Sequence, residues 1–145
     1  MSPRELYDHD FFEWTRCNAA LLRAGRLSEA DLEHIAEEIE DMGKRDYREL
    51  LNRLEVLLGH LLKWKYQPER RTPSWQNTID TQRTRILNLL DQMPSLRPAV
   101  ESNLAKAYPR AVRRACRETG IPPNQWPAEC PFSSAEVLDE GFFPE

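Results

Sequence analysis

No stretch of this sequence holds the ~18 consecutive apolar residues that a bilayer-spanning helix needs, so no membrane span is expected. Glycine is scarce, with five residues against eleven prolines, and no glycine-rich loop of the phosphate-cradling kind occurs. Cysteine is limited to Cys17, Cys116 and Cys130, odd in number and scattered. No pair of them has metal-ligand or redox spacing, which leads us to expect reduced thiols and a cytoplasmic protein. No Ser or Cys stands in a nucleophile motif. The N-terminal Met1–Asp10 is polar and lacks the apolar stretch of a secretion signal. No segment alternates apolar and polar residues as a half-buried strand does, and there is neither internal repeat nor low-complexity segment. Excess positive charge is also missing. The net charge of −4 argues against non-specific binding to nucleic acid.

What the sequence has in quantity is helical periodicity. At 40% hydrophobic and 30% charged residues it is too apolar to stay disordered. Its 145 residues suffice for one domain, 1–145, with a core of its own. Phe11, Trp14, Cys17, Ala20, Leu21 and Ala24 predict a helix over about 10–24, closed by Gly25. A second is predicted from a cap at Ser28, with Asp31 in capping-box spacing. Its stripe is Leu32, Ile35, Ala36, Ile39 and Met42, and Gly43 is expected to end or weaken it. A third, over about 44–66, carries the strongest stripe: Tyr47, Leu50, Leu51, Leu54, Leu57, Leu58, Leu61 and Leu62. Gln67-Pro68 stops it. Thr72 before Pro73 reads as an N-cap followed by Pro at the first helical position, which starts a fourth helix. A fifth spans about 96–119 and ends at Gly120, with Pro109 expected to kink or break it. The tail 121–145 holds five prolines. It also holds Trp126, Phe132, Val137, Leu138, Phe142 and Phe143, so it is expected to pack on the helices, with a short helix near 135–139. The expected fold is all-α: a compact up-and-down bundle of about five helices with a Pro-rich ordered C-terminal tail.

Several blocks occur together in a fixed order. They are Tyr7-Asp8 with Asp10-Phe11 and Trp14; Ala36-Glu37-Glu38-Ile39-Glu40 with Gly43; and His60-Leu61-Leu62-Lys63-Trp64. Gln67-Pro68-Glu69-Arg70 and Ser74-Trp75 with Thr78-Ile79 follow. Pro94-Ser95-Leu96, Ala107-Tyr108-Pro109-Arg110-Ala111 and Cys130-Pro131 close the set. On these blocks, over nearly its whole length, the chain resembles the bacterial family catalogued as domain of unknown function 29. The resemblance implies an all-helical fold and carries no catalytic residue onto this chain, so any site must be read from the residues.

Three constellations stand out. Beside the leucine stripe of the third helix, Arg53, Val56, His60, Lys63, Trp64 and Gln67 share an arc. Either a neighbouring segment packs on it, with His60 hydrogen-bonded and Trp64 half-buried, or it forms a groove of His60, Lys63 and Gln67 floored by Trp64. On the second helix, His34, Glu38 and Asp41 flank the apolar stripe, with Glu37 further out. If Glu38 met His60, the pair could anchor a polar site, with Arg83 as the cation that a buried carboxylate needs. The candidate network is then Glu38, His60, Lys63 and Arg83, edged by Glu37, Gln67 and Trp64. The same geometry offers His34, Glu38, Asp41 and His60 as ligands for a divalent metal, against the simpler reading of interhelical ion pairs. The third constellation is a basic stripe on the fifth helix: Lys106, Arg110, Arg113, Arg114 and Arg117. It is either a solvated face or a docking surface for an acidic protein partner.

The reading that follows is a small cytoplasmic helical binding or interaction protein rather than an enzyme. No cofactor, no membrane and no nucleic acid are expected, and the sequence sets no oligomeric state. The alternative is a metal-binding protein, or a metal-dependent enzyme, using the Glu/His site.

Overall fold

Local sequence punctuation accounts for most helix ends. The computed structural model describes residues Met1–Glu145 and contains six helices and no strand. They are α1 (Pro3–His9), α2 (Phe11–Arg23), α3 (Leu32–Tyr66), α4 (Pro73–Gln92), α5 (Arg97–Thr119) and α6 (Ser134–Leu138). The all-helical expectation holds. Short 3-10 turns at Pro68–Arg70, Pro94–Leu96 and Pro123–Gln125 link the later elements. Thr72 caps α4 by accepting from the Trp75 N–H at 3.2 Å, with Pro73 in the first turn as anticipated. Gly120 ends α5 in the left-handed region, φ 77°, which a residue with a Cβ enters only at a cost. No helix is long and apolar enough to cross a membrane.

Three expectations need correction. First, α1 was not anticipated, yet its signal is in the sequence. The Ser2 hydroxyl accepts from the Glu5 N–H and the Glu5 carboxylate accepts from the Ser2 N–H, a complete capping box with Pro3 at the helix start. Second, the predicted second and third helices are one helix of 35 residues. Gly43 neither ends nor interrupts it. A glycine inside a helix costs about 1 kcal/mol relative to alanine, which a helix this long absorbs, and no proline stands near to force a stop. Its start is capped by Asp31, whose carboxylate accepts from the His34 N–H at 3.4 Å, rather than by Ser28. Third, α5 continues through Pro109. Pro109 cannot donate to the Ala105 carbonyl, but both residues are exposed, so water can serve that carbonyl and the ring points away from the core.

The chain divides into two units, Met1–Asp46 and Tyr47–Glu145. In the second, Leu50, Leu54, Leu57, Leu58, Leu61 and Leu62 are fully buried, with Ile79, Ile86 and Leu90 of α4 and Val100, Ala111 and Ala115 of α5. Each such Leu, Ile or Val side chain stabilises by roughly 1.5–3 kcal/mol, so this one stripe organises the unit. Small residues let α5 approach α3: Ala107, Ala111 and Ala115 are buried, and the Ala111 carbonyl lies 3.6 Å from where a Cβ on Gly59 would sit. Trp126, Phe132 and Val137 of the C-terminal segment belong to the same core. The first unit is built differently. Its buried side chains are Trp14, Asn18 and Asp31, while Phe11, Phe12, Leu22, Leu27, Leu32, Ile39 and Met42 are exposed.

Candidate functional site

In the first unit a polar–aromatic cluster joins α1, α2 and the start of α3. The Asp31 carboxylate accepts from the Trp14 indole Nε1 at 3.0 Å and meets His34 Nδ1 at 2.6 Å. Asn18 is bonded on both sides, its Oδ1 accepting from the Asp31 N–H and its Nδ2 donating to the Trp14 carbonyl. Burial alone would raise the Asp31 pKa. The donors from Trp14 and His34 outweigh it and hold the carboxyl below the ordinary value. The Tyr7 ring stacks on His34 with centroids 3.8 Å apart, and its hydroxyl donates to Glu38 Oε1 at 2.6 Å. That hydrogen bond, with burial and the Glu38 charge, pushes the Tyr7 phenol up to about 12.

In the second unit the Lys63 ammonium is buried and donates to Glu118 of α5, 5.0 Å from the Trp75 ring centroid. His60 Nε2 lies 3.5 Å from the same ammonium, and Nδ1 lies 3.0 Å from the Val56 carbonyl, which fixes the proton on Nδ1. Burial and then the Lys63 charge hold the His60 pKa below 6.5. Arg83 is almost fully buried. Its Nε donates to the Val137 carbonyl at 2.8 Å and its Nη2 to the Glu136 carbonyl at 3.3 Å, both at the C-terminal end of α6, where a cation is favoured. The guanidinium also faces the Phe142 and Phe143 rings.

The candidate network is therefore not one site. His60 and Lys63 meet, and Glu118 is the partner that sequence reasoning missed. Glu38 and His60 lie too far apart on one helix to touch. Glu38 pairs with Tyr7, and Arg83 binds carbonyls rather than Glu38. Trp64 packs against Phe143 and under Arg71. Gln67 is buried with its Oε1 unpartnered, and Glu37 is exposed. His34, Glu38, Asp41 and His60 do not converge, and no group of three or more His, Cys, Asp or Glu side chains stands at metal-ligand spacing.

The basic stripe of α5 divides. Arg114 turns toward Glu55 and Glu118, at 3.7 and 3.9 Å. Lys106, Arg110, Arg113 and Arg117 are exposed, and none makes an ion pair or side-chain hydrogen bond within the chain. Two grooves adjoin the three arginines. One, of about 510 Å³, is lined by Glu55, Arg110, Arg113, Cys116, Arg117 and Pro123. The other, of about 450 Å³, runs along Tyr108, Pro109, Val112, Arg113, Pro123, Asn124, Trp126, Pro127 and Ala128. Arg113 and Pro123 border both, and the walls are mostly apolar. The Tyr108 hydroxyl donates to the Pro127 carbonyl at 2.6 Å and pins the groove's outer wall to α5.

The family model described as Domain of unknown function DUF29 matches residues 6–143. The chain belongs to that family. No curated protein and no solved structure matches it. The matched DUF29 span takes in both polar clusters and both grooves. Within it, Tyr7, Phe11 and Trp14 make the aromatic edge of the first cluster, where all three rings lie within 6 Å of one another. The Ala107–Ala111 block supplies both the small residues that seat α5 on α3 and the groove-lining Tyr108, Pro109 and Arg110. Glu118 and Asp31 could be named only once the fold was known. Their partners Lys63 and Trp14 lie 55 and 17 residues away, and no periodicity links them.

Proposed function

We propose that this protein is an interaction module that docks an acidic, partly apolar segment of a partner protein along the Arg113 ridge of α5. The observation that carries this reading is the set of four exposed cations without ion-pair partners, Lys106, Arg110, Arg113 and Arg117, of which the three arginines border two apolar grooves in a chain of net charge −4. An acidic protein has carboxylates to spare for surface pairing, yet on this face they meet only Arg114, through Glu55 and Glu118. Guanidinium groups present fixed, planar donor sets that suit carboxylates, and an apolar floor beside them gives a peptide side chain somewhere to bury. Charge on the rim sets the encounter rate and the choice of partner, while the groove supplies residence time.

The test uses fluorescence anisotropy with labelled peptides of alternating Glu and Leu, and a Lys–Leu peptide of the same length as control. The acidic peptide is expected to bind with an affinity that falls as salt rises, and the basic one is not. Arg113→Glu is expected to weaken binding by about ten-fold or more. Equal binding of both peptides, or an unchanged affinity in the Arg113→Glu protein, would refute the reading.

A further inference from the structure

We infer, building on the docking of an acidic segment along α5, that this segment is the exposed first half of α3 in a second copy of the chain, so that copies associate head to tail. Charge divides unevenly between the two units. Met1–Asp46 holds twelve Asp and Glu against six Lys and Arg, and Tyr47–Glu145 holds twelve against fourteen, so the net −4 splits into −6 and +2. In the first unit, Leu32, Ala36, Ile39 and Gly43 follow one another along α3 at spacings of four, three and four. All four are exposed, Leu32 by 49% and Ile39 by 60%. Beside this strip Glu33, Glu37 and Glu40 form an acidic row at spacings of four and three. Glu37 and Glu40 make no ion pair within the chain. Glu33 meets only Arg4, in a pair exposed on both sides that contributes little. The side of α3 that its own unit covers is a different one, through His34, Ile35 and Glu38, where Tyr7 packs. The chain thus carries, already helical and uncovered, an acidic and partly apolar segment of the kind that the α5 ridge suits.

The two faces match in spacing and in hand. Arg110, Arg113 and Arg117 are three and four residues apart, and Pro109 and Val112 line the groove to one side of them. At ~100° per residue, viewed down each helix from its N-terminus, the acidic row is turned from the Leu32–Ile39 strip in the same sense as the arginine row is turned from Pro109 and Val112. Faces of the same sense superpose only when the helices run antiparallel. In that register Glu33, Glu37 and Glu40 of one copy stand opposite Arg117, Arg113 and Arg110 of the other, and Ile39 lies at the level of Pro109 and Val112. Both faces point away from what their own units cover. At the end of the row Lys44 falls opposite Lys106, and there the complementarity stops. A contact between two different patches repeats from copy to copy until it closes a ring.

Sedimentation of the full chain over rising concentration tests this, with circular dichroism to confirm that each protein is folded. The wild type is expected to gain mass with concentration and to lose it as salt rises. Arg110→Glu with Arg113→Glu spoils the ridge, and Glu37→Lys with Glu40→Lys spoils the α3 face. Each of these variants alone is expected to sediment as a monomer. Mixed in equal amounts they should associate again, because the intact rows complement each other and so do the reversed ones. Ile39→Ser should weaken association by about ten-fold, and Lys44→Glu, which extends the acidic row to Lys106, should tighten it by about three-fold. A wild type that stays monomeric at ~100 μM, association by either charge-reversed variant alone, a mixture that stays monomeric, or a Lys44→Glu chain that associates less tightly would each overturn the proposal. The acidic Glu–Leu peptide tells its failure from that of the docking reading. If the ridge binds the peptide while the chain stays monomeric, only head-to-tail pairing is refuted, and if the ridge binds neither, both are.

Discussion

His60 is held neutral by its neighbours. Its side chain is half-buried and its Nε2 faces the Lys63 ammonium, which together outweigh the hydrogen bond from Nδ1–H to the Val56 carbonyl that favours the protonated ring. Glu118 tempers the positive field, and Arg114 adds to it. Protonation would put a second cation beside Lys63, so the folded protein binds that proton less readily than the unfolded chain does. Stability linked to this residue is therefore complete above the unfolded value of 6.5 and is lost as pH falls through the lower folded value. Glu118 acts further down the scale. Burial opposes its charge, but Lys63 and Arg114 win and hold its pKa below 4.5, so its contribution fades only in acid. Melting temperature is expected to drop between about pH 7 and pH 5, and His60→Gln should flatten that part of the profile while leaving the acid limb. A profile of unchanged slope in the variant would show that His60 does not carry the effect.

At the scale of the element, α5 places a helix-breaking residue on the wall of its own groove. Pro109 removes the hydrogen bond to Ala105, and in a helix interior proline is about 3 kcal/mol worse than alanine. The helix survives because its buried face is well packed, with Val100, Leu104, Ala107, Tyr108, Ala111 and Ala115 in the core. Pro109→Ala is expected to stabilise the protein by about 1–3 kcal/mol in urea melts, while altering the groove it lines with Tyr108 and Arg113. A destabilised variant would mean that the ring's packing is worth more than the lost bond. The misreading of Pro109, like that of Gly43, has one source. Propensity weighs a residue against an isolated helix, whereas burial of the leucine and alanine stripes overrides a cost of one to three kcal/mol. The stripes themselves were legible, and so were the caps at Thr72 and Gly120, because periodicity and capping are local. The site was legible only in part. The basic stripe of α5 could be read, since its members are three or four residues apart. That Arg114 turns inward while its neighbours stay free depends on Glu55 and Glu118, which only packing brings to it. Lys63 with Glu118, and Trp14 with Asp31, are likewise pairs that tertiary structure makes.

Over the whole molecule, the two units rest on different physics. Tyr47–Glu145 buries a continuous apolar core, whose large side chains would each cost several kcal/mol to truncate. Met1–Asp46 buries one large apolar residue, Trp14, and is otherwise held by directional contacts: Asp31 with Trp14 and His34, Asn18 bridging α2 and the start of α3, Tyr7 with Glu38. A net hydrogen bond contributes only about 0.5–1.5 kcal/mol, and somewhat more when a charge is involved. Local opening of α1 and α2 should therefore cost much less than global unfolding. Native-state hydrogen exchange is expected to show two levels. Amides of Leu50–Leu62 should exchange only through global unfolding, and those of Phe11–Arg23 at least about a hundred-fold faster. Equal protection across both segments would show that Met1–Asp46 unfolds with the leucine core as one cooperative structure, and that its few polar contacts are worth far more than their number suggests.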